Sequence, residues 1–122
     1  MKTLSELKIS HIALMVKELK TAKAFYTDLL NLEEIERPDF FIKGLWYKLG
    51  ESELHLMLCE DTPRPHRHSL NETVQPHFAI ALTKSMFSST VQRLLSANIS
   101  FIGEVEANSF GVNQAFFYDP DQ

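Results

Sequence analysis

The sequence predicts an α+β fold in which one unit of strand, helix and hairpin occurs twice. An apolar strand-like stretch near the start is followed by a helical stripe of apolar residues, and the same order begins again after about residue 76. A shift of 66 positions places His11 on His77 and Leu29 on Leu95. This recurrence indicates an internal duplication.

The first half contains the signals of a strand, a helix and a hairpin. Residues 9–16, ISHIALMV, alternate as a half-buried strand does, and KELKTAKAFYTDLLNL follows with apolar residues at helical spacing. That stripe consists of Leu19, Ala22, Phe25, Tyr26 and Leu29. FFIKGLWYKLGESELHLMLC then gives two apolar segments separated by Gly50-Glu51-Ser52, which predicts a hairpin.

The second half repeats this order after a polar, proline-rich linker. HFAIAL predicts a strand, KSMFSSTVQRLLSAN a helix, and ISFIGEVE and QAFFYDPDQ further strands. The apolar helix face consists of Phe87, Val91, Leu94 and Leu95. We therefore expect one domain over residues 1–122, with module one at about 1–62, a linker at 63–75 and module two at 76–122. The turn chemistry of DPDQ indicates a final strand of module two that this sequence does not reach.

Composition excludes several classes of function. The net charge is −4 at pH 7 and Lys and Arg are scattered, so we expect no nucleic-acid partner. No apolar run reaches membrane-spanning length, and no secretory signal is visible at the start. The single cysteine, Cys59, excludes an intramolecular disulfide. These features predict a cytoplasmic domain without a membrane partner.

Three histidines fall on the same face of three predicted strands. Alternation puts the large aliphatic residues on one side and His11, His55 and His77 on the other. Small residues share that face and leave room beside the rings, namely Ala13, Ala79 and Ala81. Three buried imidazoles without partners would each cost roughly 1–3 kcal/mol, whereas a divalent cation uses their lone pairs directly. The alternative is three independent core histidines.

Other side chains are candidates for contact with a ligand. Trp46 and Tyr47 fall on opposite faces of one strand, so one packs in the core and the other can wall a cavity. Met57 shares the face of His55. We take Trp46, Tyr47 and Met57 as candidate substrate-binding residues and assign no catalytic residue. His66 and His68 lie in the linker, where a solvated surface is the common outcome.

Five segments in order resemble one protein family. They are HIALMV, AFYTDLLNLEE, ELHLML, PHFAIAL and FFYDPDQ. Together they resemble the vicinal oxygen chelate superfamily of glyoxalases, bleomycin resistance proteins and extradiol dioxygenases. The resemblance implies paired βαβββ modules that form an open curved sheet or half-barrel around a divalent metal, with His11, His55 and His77 as ligands. It places a fourth ligand, a Glu, beyond Gln122.

The same resemblance implies a class of activity. A divalent ion, such as Zn, Ni, Co, Mn or Fe, would chelate adjacent oxygens of a small substrate and stabilise charge that develops on them. This chemistry serves glyoxalase-type lyases and isomerases as well as dioxygenases. The alternative is a metal-free relative that sequesters a drug or metabolite in the same cavity, as an antibiotic-resistance protein does. The family also implies a homodimer.

Overall fold

A computed structural model describes residues 7–60, 77–102, 106–107 and 113–121. The predicted linker at 63–75, with His66 and His68, lies outside these residues. The elements in chain order are β1 (His11–Val16), α1 (Leu19–Lys23) continued by a π-helical segment (Ala24–Leu29), β2 (Glu33–Ile35), β3 (Gly44–Leu49), β4 (Ser52–Leu58), α2 (Lys84–Ser96), β5 (Glu106–Ala107) and β6 (Asn113–Gln114). The fold class is α+β, as predicted. Within the described ranges, no helix is both long and apolar enough to span a bilayer.

The first six elements build an open four-stranded sheet in the order β1-β4-β3-β2. β1 runs parallel to β4, and the other neighbours are antiparallel. β3 and β4 form the predicted hairpin, which turns at Gly50 with a φ of 59°. Because β1 and β2 lie at opposite edges, the helical connection between them must cross the sheet. It therefore covers one face and leaves the other uncovered.

The core lies between this helical connection and the covered face. Its buried cluster consists of Val16, Ala22, Phe25, Tyr26, Tyr47, Leu54 and Leu56. Leu19 and Leu29 are partly buried and pack against the cluster. The apolar stripe and the strand alternation predicted from sequence are thus confirmed for the first half, and burial of these side chains supplies most of its stability.

The predicted helix changes its hydrogen-bond spacing halfway along. Leu30 N donates to Phe25 O over 2.9 Å, the five-residue spacing of a π-helix. The neighbouring side chains Phe25 and Tyr26 are both buried, and their rings meet edge to face with centroids 5.1 Å apart. Asn31 then ends the helix with a left-handed φ of 59°. The apolar spacing predicted a helix but not this wider turn.

α2 forms where a helix was predicted, but one residue of its predicted buried face is exposed. Thr83 caps its start, since the Oγ1 accepts from Met86 N over 3.3 Å. Leu94 is buried, but Leu95 is half exposed, so its assignment to the buried face is wrong. Residues 94 and 95 lie about 100° apart around a helix, and only Leu94 is on the buried side.

The strand predicted for residues 77–82 is not formed. In the part of the chain that the structure describes, these residues belong to no helix or strand. Phe78 packs against the core cluster, while Ile80 and Leu82 are exposed. An alternating sequence needs a neighbouring strand to bond its backbone, and this segment has none there. Farther on, the predicted strands at 99–106 and 114–122 meet in an isolated antiparallel bridge between Phe101 and Phe117. The short β5-β6 pair overlaps each predicted strand by a single residue, so the described part of the chain does not confirm their predicted bounds.

The D-P-D turn near residue 120 docks on the first half of the chain. Tyr26 donates its hydroxyl to Asp119 Oδ2 over 2.5 Å, and Lys17 N donates to Asp121 Oδ1 over 3.2 Å. The ring of Phe117 lies 6.1 Å from that of Phe25. These contacts fix the turn beside the end of β1 and the buried side of the helix.

Replacing Gly44 with Ala should lower the free energy of unfolding by about 3 kcal/mol, because the new Cβ would overlap the backbone oxygen of Leu56, which no side-chain rotation can relieve. Gly50→Ala is the matched control. Its Cβ would meet nothing, so only the left-handed backbone costs energy, about 1 kcal/mol. Urea unfolding of both variants measures the difference, and equal losses would contradict the close approach at Gly44.

Candidate functional site

The uncovered face of the sheet carries two of the three histidines predicted as metal ligands. Strand alternation places His11 and Met15 of β1 and His55 and Met57 of β4 on this face, opposite the buried leucines. Ala13 lies beside His55 in the parallel pairing and is exposed. Its side chain is a single methyl group and so adds little bulk beside the imidazole.

Four aromatic rings form a row across this face. Trp46 pairs with His55 in the β3-β4 register, and the two rings stack with centroids 3.9 Å apart and planes 5° apart. His11 stacks on the other side of His55 at 4.3 Å and 13°. Phe40 extends the row beyond Trp46, with centroids 5.7 Å apart. The imidazole of His55 is therefore held between two parallel rings.

Glu53 is a site residue that the sequence analysis missed. His55 Nε2 lies 2.8 Å from Glu53 Oε1, where the imidazole N–H donates to the carboxylate. The side chain of His55 is 14% exposed and that of Glu53 is 40% exposed. A signal was available, because residues two apart in a strand point the same way, so E-x-H on β4 puts a carboxylate beside the imidazole.

The structure brings together two of the three predicted metal ligands. His11 and His55 are stacked, whereas His77 lies against the ring of Phe116, with centroids 5.8 Å apart. Among residues 7–60, 77–102 and the short described stretches after them, no three His, Cys, Asp or Glu side chains surround one point as metal ligands would. A single copy of the chain thus presents a histidine pair, with His77 apart from it.

Tyr47 belongs to the core, and its selection as a substrate-binding residue is wrong. Its side chain is fully buried under the helix, and its hydroxyl lies 2.8 Å from Thr27 Oγ1. Burial raises the pKa of Tyr47 above its usual value, and the Glu34 carboxylate adds to the rise. Of Trp46 and Tyr47, only Trp46 lies on the uncovered face with His11 and His55. Met57 is also there.

Comparison with known proteins places this chain in a family. Residues 8–122 match the family model of the Glyoxalase/Bleomycin resistance protein/Dioxygenase superfamily. The chain belongs to this superfamily. No curated protein matches the sequence.

Several solved structures share the fold of this chain. A glyoxalase/dioxygenase from Nostoc punctiforme matches with a TM-score of 0.78 and 19% identity, covering 98% of this chain and 90% of that one. A mutant of the fosfomycin resistance protein FosX from Listeria monocytogenes, in complex with Mn(II) and 1S,2S-dihydroxypropylphosphonic acid, matches with a TM-score of 0.72 and 21% identity. This match covers 98% of the present chain and 87% of the FosX chain. Lactoylglutathione lyase from Agrobacterium tumefaciens matches with a TM-score of 0.64 and 21% identity, covering 97% of this chain and 90% of that one.

The side chains of His11, His55 and Glu53 carry donor atoms of the kinds that bind divalent metals. The stacked rings of His11 and His55 are not, however, oriented to coordinate one ion. Imidazole nitrogens and a carboxylate oxygen are the donors that Zn, Mn, Fe, Co and Ni accept. A ring nitrogen directs its lone pair in the plane of the ring. The planes of His11 and His55 are nearly parallel, so their lone pairs do not meet at one point. One ring must therefore rotate out of the stack before both can bind one ion.

Replacing Tyr47 with Phe should destabilise the chain at neutral pH by about 1 kcal/mol, because the hydrogen bond to Thr27 is lost. The folded chain raises the pKa of Tyr47 above 10.0, so this contribution is complete below that pH and declines as the pH rises through the folded pKa. The difference in unfolding free energy between wild type and Y47F should therefore shrink in alkaline solution. Urea unfolding at a series of pH values measures it, and a constant difference would contradict the buried, neutral phenol.

Proposed function

We propose that this chain is a cytoplasmic, homodimeric, metal-dependent vicinal oxygen chelate enzyme, with His11, His55 and His77 as metal ligands. Its substrate is a small molecule with adjacent oxygens, and its reaction is of the glyoxalase lyase or isomerase type or is dioxygenase-like. The observation that carries the proposal is the pairing of His11 and His55 on the open face of a superfamily sheet.

The side chains around the histidine pair suit a small chelating substrate. A divalent ion bound here would supply Lewis-acid stabilisation to charge that develops on the substrate oxygens. Ala13 leaves room for those oxygens beside His55. Trp46 and Met57 border the same space and would exclude water from the apolar part of the substrate.

Two structural relatives favour this class of activity. FosX was crystallised with Mn(II) and a dihydroxypropylphosphonic acid, which carries vicinal hydroxyl groups. A second relative is a lactoylglutathione lyase. Both names describe other proteins at 21% identity, so they favour a divalent ion and a small oxygen-bearing substrate here without selecting one reaction.

A second copy of the chain would bring His77 to the site. β1 is an edge strand of the four-stranded sheet, and residues 77–82 alternate as a strand does but have no strand assignment in the described part of the chain. Unpaired edges favour association with another chain. We propose that module two, residues 76–122, pairs through 77–82 with β1 of module one in a partner, which sets the partner's His77 beside His11.

The second candidate function is metal-free binding of a small molecule, as in a resistance protein that sequesters its ligand. The stacked rings and the hydrogen bond from His55 to Glu53 favour it, because they satisfy the site without an ion. The row of rings on the uncovered face would then hold an apolar ligand. Metal binding decides between the two functions.

Zn²⁺ should bind with about one ion per site and change the fluorescence of Trp46, the only tryptophan in the sequence, because His55 must leave the ring stack to coordinate. His55→Ala should abolish both binding and the fluorescence response. His66→Ala, which removes a linker histidine outside the ligand set, should retain both. Equilibrium dialysis and emission spectra measure them. Wild-type protein that takes up no divalent ion would refute the enzyme and leave the metal-free function.

Mixing two defective variants should restore metal binding if each site spans two copies. A His55→Ala chain and a His77→Ala chain would each bind Zn²⁺ poorly alone. In a mixed dimer, one site combines the intact His11 and His55 of one copy with His77 of the other, so random exchange should restore roughly a quarter of all sites. Metal content after unfolding and refolding the mixture together measures this. Absence of recovery in a confirmed mixed dimer would show that each copy builds its own site.

A further inference from the structure

We propose that Arg37, Phe40 and Trp46 form a subsite for an aromatic carboxylate, which would be the flat, anionic end of the ligand. The subsite lies at the Phe40 end of the row of four rings, the end remote from His11. This inference rests on the proposed use of the uncovered face as a ligand site, under either candidate function. It requires no metal ion.

The ring of Phe40 is available to a ligand. Phe40 lies in the connection between β2 and β3, and half of it is exposed. Its ring centroid is 5.7 Å from that of Trp46 and the two planes are 47° apart, whereas Trp46 stacks closely and nearly parallel on His55. The Phe40 and Trp46 rings therefore form an open wedge. A flat ring can pack against this wedge, because offset and edge-to-face contacts between aromatic rings are favourable.

Arg37 places a positive charge at the same rings. Its guanidinium carbon lies 5.2 Å from the centroid of the Phe40 ring, which is a cation–π contact. Nη2 of the same side chain donates to the carbonyl oxygen of Ile42 and so ties the two ends of residues 37–42 together. The charge is therefore held beside the Phe40 ring.

Arg37 has donor capacity that the described chain does not use. A guanidinium has five N–H donors, and within the described ranges Ile42 O is the one acceptor that bonds to them. In the same ranges, Nε of Arg37 is the one buried side-chain nitrogen or oxygen without a hydrogen-bond partner. Buried polar groups are normally paired, so the polar surroundings of Arg37 are incomplete in the free chain. An acceptor on a ligand would complete them.

The charge of Arg37 selects the sign of the ligand. The ion pairs among the described residues do not involve this guanidinium, so no carboxylate of that part of the chain neutralises it. A carboxylate can accept two parallel N–H bonds from a guanidinium while an attached ring packs on Phe40 and Trp46. The subsite thus attracts anions and repels cations, although the chain as a whole carries a charge of −4.

The test is calorimetric titration of the full chain with two matched probes, 2-naphthoate and the neutral 2-naphthamide. Because both have the same rings, the ratio of their dissociation constants isolates the effect of the carboxylate. Wild type should bind 2-naphthoate about 10-fold more tightly, since charge-assisted hydrogen bonds are the stronger kind. Arg37→Gln should abolish this preference. Phe40→Leu should weaken both probes alike, and Lys43→Gln, which removes an exposed cation after the loop, should match wild type.

Each outcome decides the question. Equal binding of the two probes by wild type would overturn the anionic subsite and leave a face for apolar molecules. If R37Q weakens both probes by the same factor, Arg37 only holds the loop and the proposal is wrong. Binding of neither probe to wild type would also refute the subsite, whereas Zn²⁺ uptake tests the metal-dependent function separately. Circular dichroism checks folding. If R37Q does not fold, Arg37→Lys replaces it and should lower the ratio, because lysine lacks the two-pronged donor; an unchanged ratio would overturn the proposal.

Discussion

Packing of the first helix across one face of the four-stranded sheet is the constraint on which the rest of the structure depends. The strand order puts β1 and β2 at opposite edges, so the chain between them must cross the sheet. Phe25 and Tyr26 of the helix then share one buried cluster with Leu54 and Leu56 of β4, and both leucines are completely buried. Because side chains alternate along each strand, covering one face determines the other. His11 and His55 are on the uncovered face because their neighbours along each strand, Ile12 in β1 and Leu54 and Leu56 in β4, face the core.

The sequence was sufficient for these features because they depend on local periodicity. Alternation in β1 and β4 predicted which residues face the helix, and the stripe from Leu19 to Leu29 predicted the helix itself. Alternation also predicted that Trp46 and Tyr47 lie on opposite faces of β3. It did not say which was buried, because that depends on how β3 pairs with β4. Because Trp46 pairs with His55 on the uncovered face, Tyr47 faces the helix and is buried.

The features that sequence did not predict depend on partners distant in the chain. Residues 77–82 alternate correctly, yet a strand exists only where another backbone bonds to it, and no described strand does so. The half-exposed Leu95 likewise reflects which side of α2 meets the π-helical segment. Glu53 is a different case. Its position beside His55 followed from strand alternation, but attention to histidines alone left the carboxylate out.

The stacked site and a metal-bound site are compatible on energetic grounds. Each ring stack on His55 is worth about 0.5–1.5 kcal/mol, and its hydrogen bond to a carboxylate about 1.5–3 kcal/mol. Opening all of these contacts costs at most about 6 kcal/mol. Structural Zn²⁺ sites with complete ligand sets gain about 10–16 kcal/mol at neutral pH. A complete ligand set would therefore rotate His55 out of the stack, whereas a single histidine pair gains much less and leaves the stack closed. The stack of His55 between Trp46 and His11 therefore does not exclude metal binding, because the contacts that hold the imidazole are weaker than coordination by a complete ligand set.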